Sequence, residues 1–281
     1  MISARKRRVS VKYSVLKGLS YVCAGLTVAA LIAIITFILV RGIAHVNLNF
    51  VFGEYKTKTP TVYPALVGTL YLVAMSVAIA APIGVATAVF LTEYAKKGKL
   101  VNVIRVAVET LSSIPSIVYG LFGYIVFVAG GVKWGYTLLG GGITLAIMVL
   151  PTILRAAEES LLAVPSVYRE GSLALGAGKV RTIFAVMLPN AAGGIVSAVI
   201  LAMGRVISES AVLILTIGMV VTDVPKGLMS PGTSLALDVY YFGTAGKSEE
   251  AAAAGVVLIT LVVALNLLAS WLGKLLKKGK A

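Results

Sequence analysis

The chain has one cysteine, Cys23, one histidine, His45, and only 11 acidic residues against 25 basic ones in 281. A single cysteine excludes an internal disulfide. Together with a single histidine it leaves no converging ligand set for a metal, so none is expected. His45 follows the first apolar run and reads as an interfacial side chain. Charged residues make up 13% of the chain, about half the ~25% of a soluble domain. A phosphate-cradling Walker A loop is also missing. Its nearest approach, Gly178-Lys179, has Leu173 in place of the first glycine and Val180 in place of Ser or Thr. The Gly140-Gly141-Gly142 run has no strand before it and no lysine after it. With no nucleophile–base constellation either, the chain is not expected to be an enzyme or to bind ATP or Mg itself.

What fills the space is apolar. Hydrophobic residues are 59% of the chain and mean hydropathy is +0.98. A bilayer core needs ~20 apolar residues as a helix. Six runs qualify, at 18–41, 64–92, 106–130, 136–158, 190–221 and 251–273, so the expected class is an all-α polytopic membrane bundle. The first run follows Arg5-Lys6-Arg7-Arg8 and is too long for a signal-peptide core of ~7–15 residues, so it reads as a retained span. Pro82 and Pro151 fall inside runs, where neighbouring helices can cover the freed carbonyls. Small residues recur four apart, as Ala80–Gly84–Ala88, Gly193–Ser197 and Gly204–Ser208, a pattern that lets helices approach closely.

The net charge of +14 would suggest nucleic acid in a soluble protein, but no polar domain exists to hold it. The cations lie between the apolar blocks. With both termini inside, 18 of the 25 cations fall in cytoplasmic segments and 6 outside, the positive-inside bias. The outer loops, 42–63 and 222–250, are too short for a separate capture domain, so a protein that captures substrate would be another polypeptide. Leu235–Tyr241 reads as one short interfacial helix.

Between 164 and 189, on the cytoplasmic side, the pattern turns polar. Val164-Pro165-Ser166 marks a break and a helix start, with Ser166 as cap and Glu170 near the positive helix end. Leu173, Leu175, Ile183 and Val186 supply apolar contacts. Gly176 and Gly178 stop the helix, and Leu188-Pro189 opens the next span. A short exposed helix between two spans suits a groove on a partner.

Two charges lie in the fifth span. Arg205 is about 15 residues from Asn190, ~22 Å along the axis, and Glu209 follows at i+4 on the same helical face. Intramembrane charges face a bundle interior or a water path. Arg205 and Glu209 read either as a self-neutralising structural pair or as an anion path. In the second case the guanidinium fork takes oxyanion oxygens and the carboxylate limits how tightly they are held. Arg155, ~25 Å down the fourth span, reads as a snorkelling cation paired with Glu158 or Glu159, or as an inner exit cation.

The loop carries a specific resemblance. Glu170, Gly176 six residues on, Val186 ten further and then Leu188-Pro189 match the spacing of the motif in binding-protein-dependent ABC importer permeases. Gly171-Ser172 stands where that family has Ala-Ala. Ala65–Leu70, Leu91–Ala95, Ile114–Gly123, Ser208–Ala211 and Ser230–Leu235 resemble phosphate permeases, the PstA type more than its sister PstC, over about residues 60–273.

The resemblance implies the type I importer permease fold. It divides the chain into a basic N-terminus, first span and outer loop (1–60), a permease domain (61–275) and a basic tail (276–281). It also implies a coupling role for Arg169, Glu170, Gly171, Ser172, Gly176, Leu188 and Pro189, and a phosphate path through Arg205, Glu209 and Arg155. The partners it implies are a PstC-like permease, a PstB-like ATPase dimer holding ATP and Mg, and an extracellular PstS-like binding protein, in the plasma membrane of a prokaryote. Another oxyanion (sulfate, molybdate or phosphonate) is the nearest alternative. A gradient-driven transporter or channel is a more distant one, since no internal repeat is found.

Overall fold

A computed structural model describes residues 2–56, 59–96 and 98–278. Lys58, Lys97 and the last three residues of the expected tail lie outside the described residues. Among the described residues the chain is helical, with one isolated bridge between Lys56 and Thr59 and no strand. Lipid offers the backbone no hydrogen bonds, so each apolar run satisfies its own as a helix. Five helical stretches are long and apolar enough to cross a membrane: Leu16–His45, Tyr63–Tyr94, Leu138–Leu162, Lys179–Ile207 and Ser248–Trp271. They lie on α1 (Ile2–Gly42), α3 (Tyr63–Val89), α6 (Leu138–Leu162), α9 (Leu188–Ile207) and α12 (Ser248–Lys278), with the short α2 (Leu48–Phe52) between the first two.

The third run, expected as one helix over 106–130, is two. α4 (Lys99–Ser113) and α5 (Ser116–Gly123, extended by a π-helical turn to Ala129) meet at 98°. Pro115 lacks an N–H and pushes Ile114 to extended backbone, ψ 129°, which ends α4. The Tyr119 hydroxyl donates to the Leu111 carbonyl at 2.8 Å and fastens the corner. With this pair as one crossing, the chain crosses six times.

The fifth run is also broken. α9 stops at Ile207 and α10 (Ala211–Thr216) restarts after Ser208-Glu209-Ser210. There the Ser208 hydroxyl donates back to the Gly204 carbonyl at 3.0 Å, and the Glu209 carboxylate accepts from the Val212 amide at 3.3 Å. Such side-chain bonds compete with the helical ladder. The same run begins earlier than expected: a π-helical turn, Ile183–Met187, joins α9 to the preceding segment.

The bundle is built on α3 against α6. Ala80, Gly84 and Ala88 are buried along one face of α3. A Cβ on Gly84 would sit 3.0 Å from Ile153 Cγ2 and 3.3 Å from the Leu154 amide nitrogen. Ser76 donates to the Gly142 carbonyl at 3.1 Å across the same seam. In lipid such close packing, rather than escape from water, holds helices together. Leu72, Leu145, Val149, Ile153, Ala202 and Val206 continue the core to α9. Gly204 has open space around it, so Gly204–Ser208 is not a packing seam within this chain. α1 packs on α12 at its outer end, where Gly42 lies against Ala252 and Ile38 against Gly255, while its apolar residues from Leu16 to Phe37 are exposed.

On the outer side, the short helix expected near Leu235 is α11 (Leu235–Thr244), capped by Ser234, whose side chain accepts from the Leu237 amide. It is buried rather than laid on a surface: Leu235 and Phe242 pack with Phe50, Val62, Ala65 and Ala253. His45 lies 3.0 Å from Glu249 at the start of α12, consistent with an interfacial place.

Asp238 of α11, outside the spans, is fully buried; it accepts from Thr233 Oγ1 at 2.5 Å, while its other oxygen has no partner. Burial pushes its pKa up to about 7, against the opposing pull of the Thr233 hydrogen bond. Tyr55, itself beside Tyr241, is its titratable neighbour. The folded chain therefore holds this proton more tightly than the unfolded chain. That stabilisation is complete below the ordinary carboxyl value and is lost as pH rises through about 7. The unfolding temperature of the purified chain in detergent is expected to fall by roughly 5–10 °C between pH 5 and pH 8, and Asp238→Asn is expected to flatten that slope. An unchanged slope in the variant would contradict it.

Candidate functional site

The polar segment at 164–189 folds as a helical hairpin. α7 (Ser166–Ala174) and α8 (Lys179–Thr182) flank a four-residue turn. Pro165, not Ser166, holds the N-cap position, and no side chain caps α7. Its C-terminus is closed by the backbone. The Gly176 amide donates to the Leu173 carbonyl at 3.0 Å and the Ala177 amide to the Ser172 carbonyl at 3.1 Å. With Gly176 at φ +82°, this is a Schellman closure, whose left-handed position favours glycine. The glycine six residues after Glu170 therefore has a backbone cause.

α7 buries none of its residues. Val167, Tyr168, Leu173, Leu175, Val180 and Phe184 are all exposed, Leu175 at 90%. Of the expected apolar contacts, Ile183 is buried, while Leu173 and Leu175 point to solvent. Exposed apolar side chains gathered on a polar helix suit a contact surface. Glu170 is exposed at its centre.

The Gly171-Ser172 departure also has a local account. The Ser172 hydroxyl lies 2.9 Å from that of Thr182, tying α7 to α8 in a way alanine could not. A Cβ on Gly171 would meet nothing within 4 Å, so nothing in the chain itself requires glycine there. Leu188 and Pro189 open α9, with proline in the first turn, where its missing N–H costs nothing.

Arg169 faces inward, where it pairs through Nη2 with Glu93, a carboxylate only 3% exposed at the π-helical end of the α3 span. Lys179 places its ammonium 4.7 Å from the centre of the Tyr94 ring.

In the membrane region Arg205 and Glu209 are not one i, i+4 pair, because α9 ends between them. No ion pair joins them among the described residues, and Glu209 instead caps α10. Arg205 lies on an open cleft of about 690 Å³ with Thr152, Ser197, Gly204, Ser208, Asn266 and Ser270. Thr152 sits near the middle of α6, which places the cleft at depth. The Ser197 and Ser208 hydroxyl protons are already given to helix carbonyls. Arg205, the hydroxyls of Thr152 and Ser270, and the amide of Asn266, whose Oδ1 is buried without a partner, are the other polar functions on the cleft.

Arg155 lies on a different cleft, about 300 Å³, with Arg105, Glu109, Glu158 and Glu159. Glu158 pairs with Arg105 at 2.5 Å rather than with Arg155. The structure therefore separates Arg155 from Arg205. Among the described residues no group of three metal-ligating side chains converges.

Residues 80–281 match the family described as binding-protein-dependent transport system inner membrane component. The chain belongs to that family. It is 32% identical to the probable ABC transporter permease protein YqgI of Bacillus subtilis, over 93% of this chain and 95% of that protein. It is also 32% identical to a phosphate transport system permease protein PstA homolog of Mycoplasma pneumoniae, over 78% of this chain but only 34% of that protein. A phosphate transport system permease protein PstC of Haemophilus influenzae is 30% identical over 76% of each. The fold is shared with a methionine ABC transporter in an inward-facing conformation, at TM-score 0.60 and 23% identity, over 74% of this chain and 94% of that one. An alginate ABC transporter follows at TM-score 0.57 and 15% identity, over 75% and 78%.

The chain is thus a multi-pass, non-catalytic membrane permease subunit of ABC importer type, with the type I permease fold. Sequence reasoning missed the partners of Arg169 and Arg105. The signal was a lone carboxylate at the end of a span, Glu93, which desolvation obliges to find a cation. Asn266 was missed too, an amide in an otherwise apolar run.

The hairpin geometry yields a direct test. Gly176→Ala forces a side chain into the left-handed region, costing about 1–2 kcal/mol. Hydrogen exchange at the 176 and 177 amides is expected to speed up roughly 5- to 30-fold. Gly171→Ala, with free space, is expected to slow exchange in α7, since alanine favours helix by up to about 1 kcal/mol. Equal exchange in all three proteins would contradict the hairpin.

Proposed function

We propose that this chain is one permease of an ATP-driven importer that brings inorganic phosphate into a prokaryotic cell across its plasma membrane. The observation that carries the reading is Arg205: a guanidinium with no ion-pair partner among the described residues, on a cleft at membrane depth. Leaving a cation there is costly, ~2.5–3.5 kcal/mol on the lenient scale, and a passing oxyanion offsets that cost. Similarity to the PstA and PstC proteins favours phosphate.

Glu209 lies beyond the helix end and limits anion affinity from the α10 side. Arg155 serves as a later cation on its own cleft, nearer the basic face. A PstC-like second permease completes the path, and a PstS-like binding protein delivers phosphate from outside. A PstB-like ATPase pair, holding ATP and Mg, docks on α7 through the exposed side that carries Glu170, Gly171, Ser172 and Gly176, while Arg169 fixes α7 from its inner side and Leu188 and Pro189 carry its motion into α9. A second reading, sulfate, molybdate or phosphonate, is favoured by the same guanidinium, which binds any tetrahedral oxyanion.

Arg205→Gln is expected to cut phosphate uptake about 10- to 100-fold, the worth of one charged hydrogen bond at ~1.5–3 kcal/mol, with the complex still assembled. Wild-type uptake would take Arg205 out of the path. Glu170→Lys is expected to leave the permease folded and to abolish substrate-stimulated ATP hydrolysis; full stimulation with normal uptake would refute docking through α7.

A further inference from the structure

A helix that buries none of its residues is not seated by packing. α7 is such a helix, yet a surface that receives force must be held by something that moves with it. Among the described residues, two side-chain contacts tie the arms of the hairpin to the α3 span, and both come from adjacent residues at its end. Glu93 takes Arg169 on the first arm. Tyr94 takes Lys179 on the second arm, 4.7 Å from its ring. The arms are joined to each other by the Ser172–Thr182 hydroxyl contact at 2.9 Å, which closes a triangle of α3 end, α7 and α8.

The chemistry of the pair suits a rigid link. Glu93 is almost wholly enclosed, so its charge is screened little and Arg169 is not readily replaced by water. Lys179 binds the ring face, a contact that survives small sliding but not separation. Both attachments sit on or beside π-helical turns: Phe90–Tyr94 carries Glu93 and Tyr94, and Ile183–Met187 follows the second arm. Such widened turns are places where a helix changes its winding. Beyond the first turn lies α3 and its close seam with α6. Beyond the second lies α9, which carries Arg205.

We infer that Glu93 and Tyr94 form a clamp by which the span of α3 holds both arms of the coupling hairpin, so that displacement of α7 by a partner moves α3 and α9 together. Glu93 is in this sense a positioning residue. The inference rests on the reading of α7 as the ATPase-docking surface.

The test uses the reconstituted complex with binding protein and inorganic phosphate, reading uptake and ATP hydrolysis in the same vesicles. Glu93→Gln keeps size and removes charge. It is expected to raise the ATP hydrolysed per phosphate imported roughly three- to tenfold, with assembly unchanged. The exchanged pair Glu93→Lys with Arg169→Glu is expected to return the ratio to within about twofold of wild type. In a Cys23→Ser background, spin labels at Val167 and Phe90 are expected to give one narrow distance distribution, broadened by Glu93→Gln and narrowed again by the exchange. A wild-type ratio and an unbroadened distribution in Glu93→Gln overturn the clamp. If the wild-type complex imports no phosphate but the label distances still respond as described, the clamp stands and the choice of phosphate falls.

Discussion

Helices α3 and α6 approach each other through Ala80, Gly84 and Ala88, and the functional parts of the molecule hang from that seam. In a bilayer no difference in hydration drives the two helices together. What holds them is contact, and contact requires that nothing larger than a methyl group intervene. At Gly84 even a methyl group would crowd Ile153; a larger side chain there would cost about 1–3 kcal/mol in overpacking. At the basic end of the seam both helices carry buried carboxylates, Glu93 on the α3 span and Glu158 on α6. Each is neutralised by an arginine from another segment: Arg169 from the hairpin and Arg105 from α4. The seam thus fixes where the hairpin and the bent α4–α5 pair can sit.

Function follows from what this arrangement leaves uncovered. The hairpin shows solvent an apolar patch around a central acidic residue, on the side that the cations mark as cytoplasmic. The α9 cleft shows Arg205. The first surface needs a protein partner and the second suits an anion. A single chain that offers both is what the proposed reading, a permease moving an anion with energy from a partner ATPase, requires.

Much of this was legible in the sequence because it depends on periodicity and composition. Apolar runs near the thickness of a bilayer gave the crossings, cation placement gave the orientation, and the spacing from Glu170 to Pro189 gave the hairpin and its family. The failures were local. Pro115 lies inside an apolar run, yet it and its predecessor turn the chain by 98° without any loss of hydropathy. The apolar neighbours of Ser208-Glu209-Ser210 favour helix, but short polar side chains there bond the backbone and stop α9. That break dissolved the expected Arg205–Glu209 pair. Among the described residues the arginine–carboxylate pairs join positions 53 and 76 apart, a separation that no periodicity reports.

The most direct measurement is uptake of radiolabelled inorganic phosphate by vesicles containing this chain with its second permease and ATPase, loaded inside with ATP or without it. The account predicts uptake against a gradient only when ATP, the ATPase and the binding protein are all present, and none when the ATPase is omitted. Accumulation by the permeases alone, driven by an ion gradient with no ATPase, would contradict it.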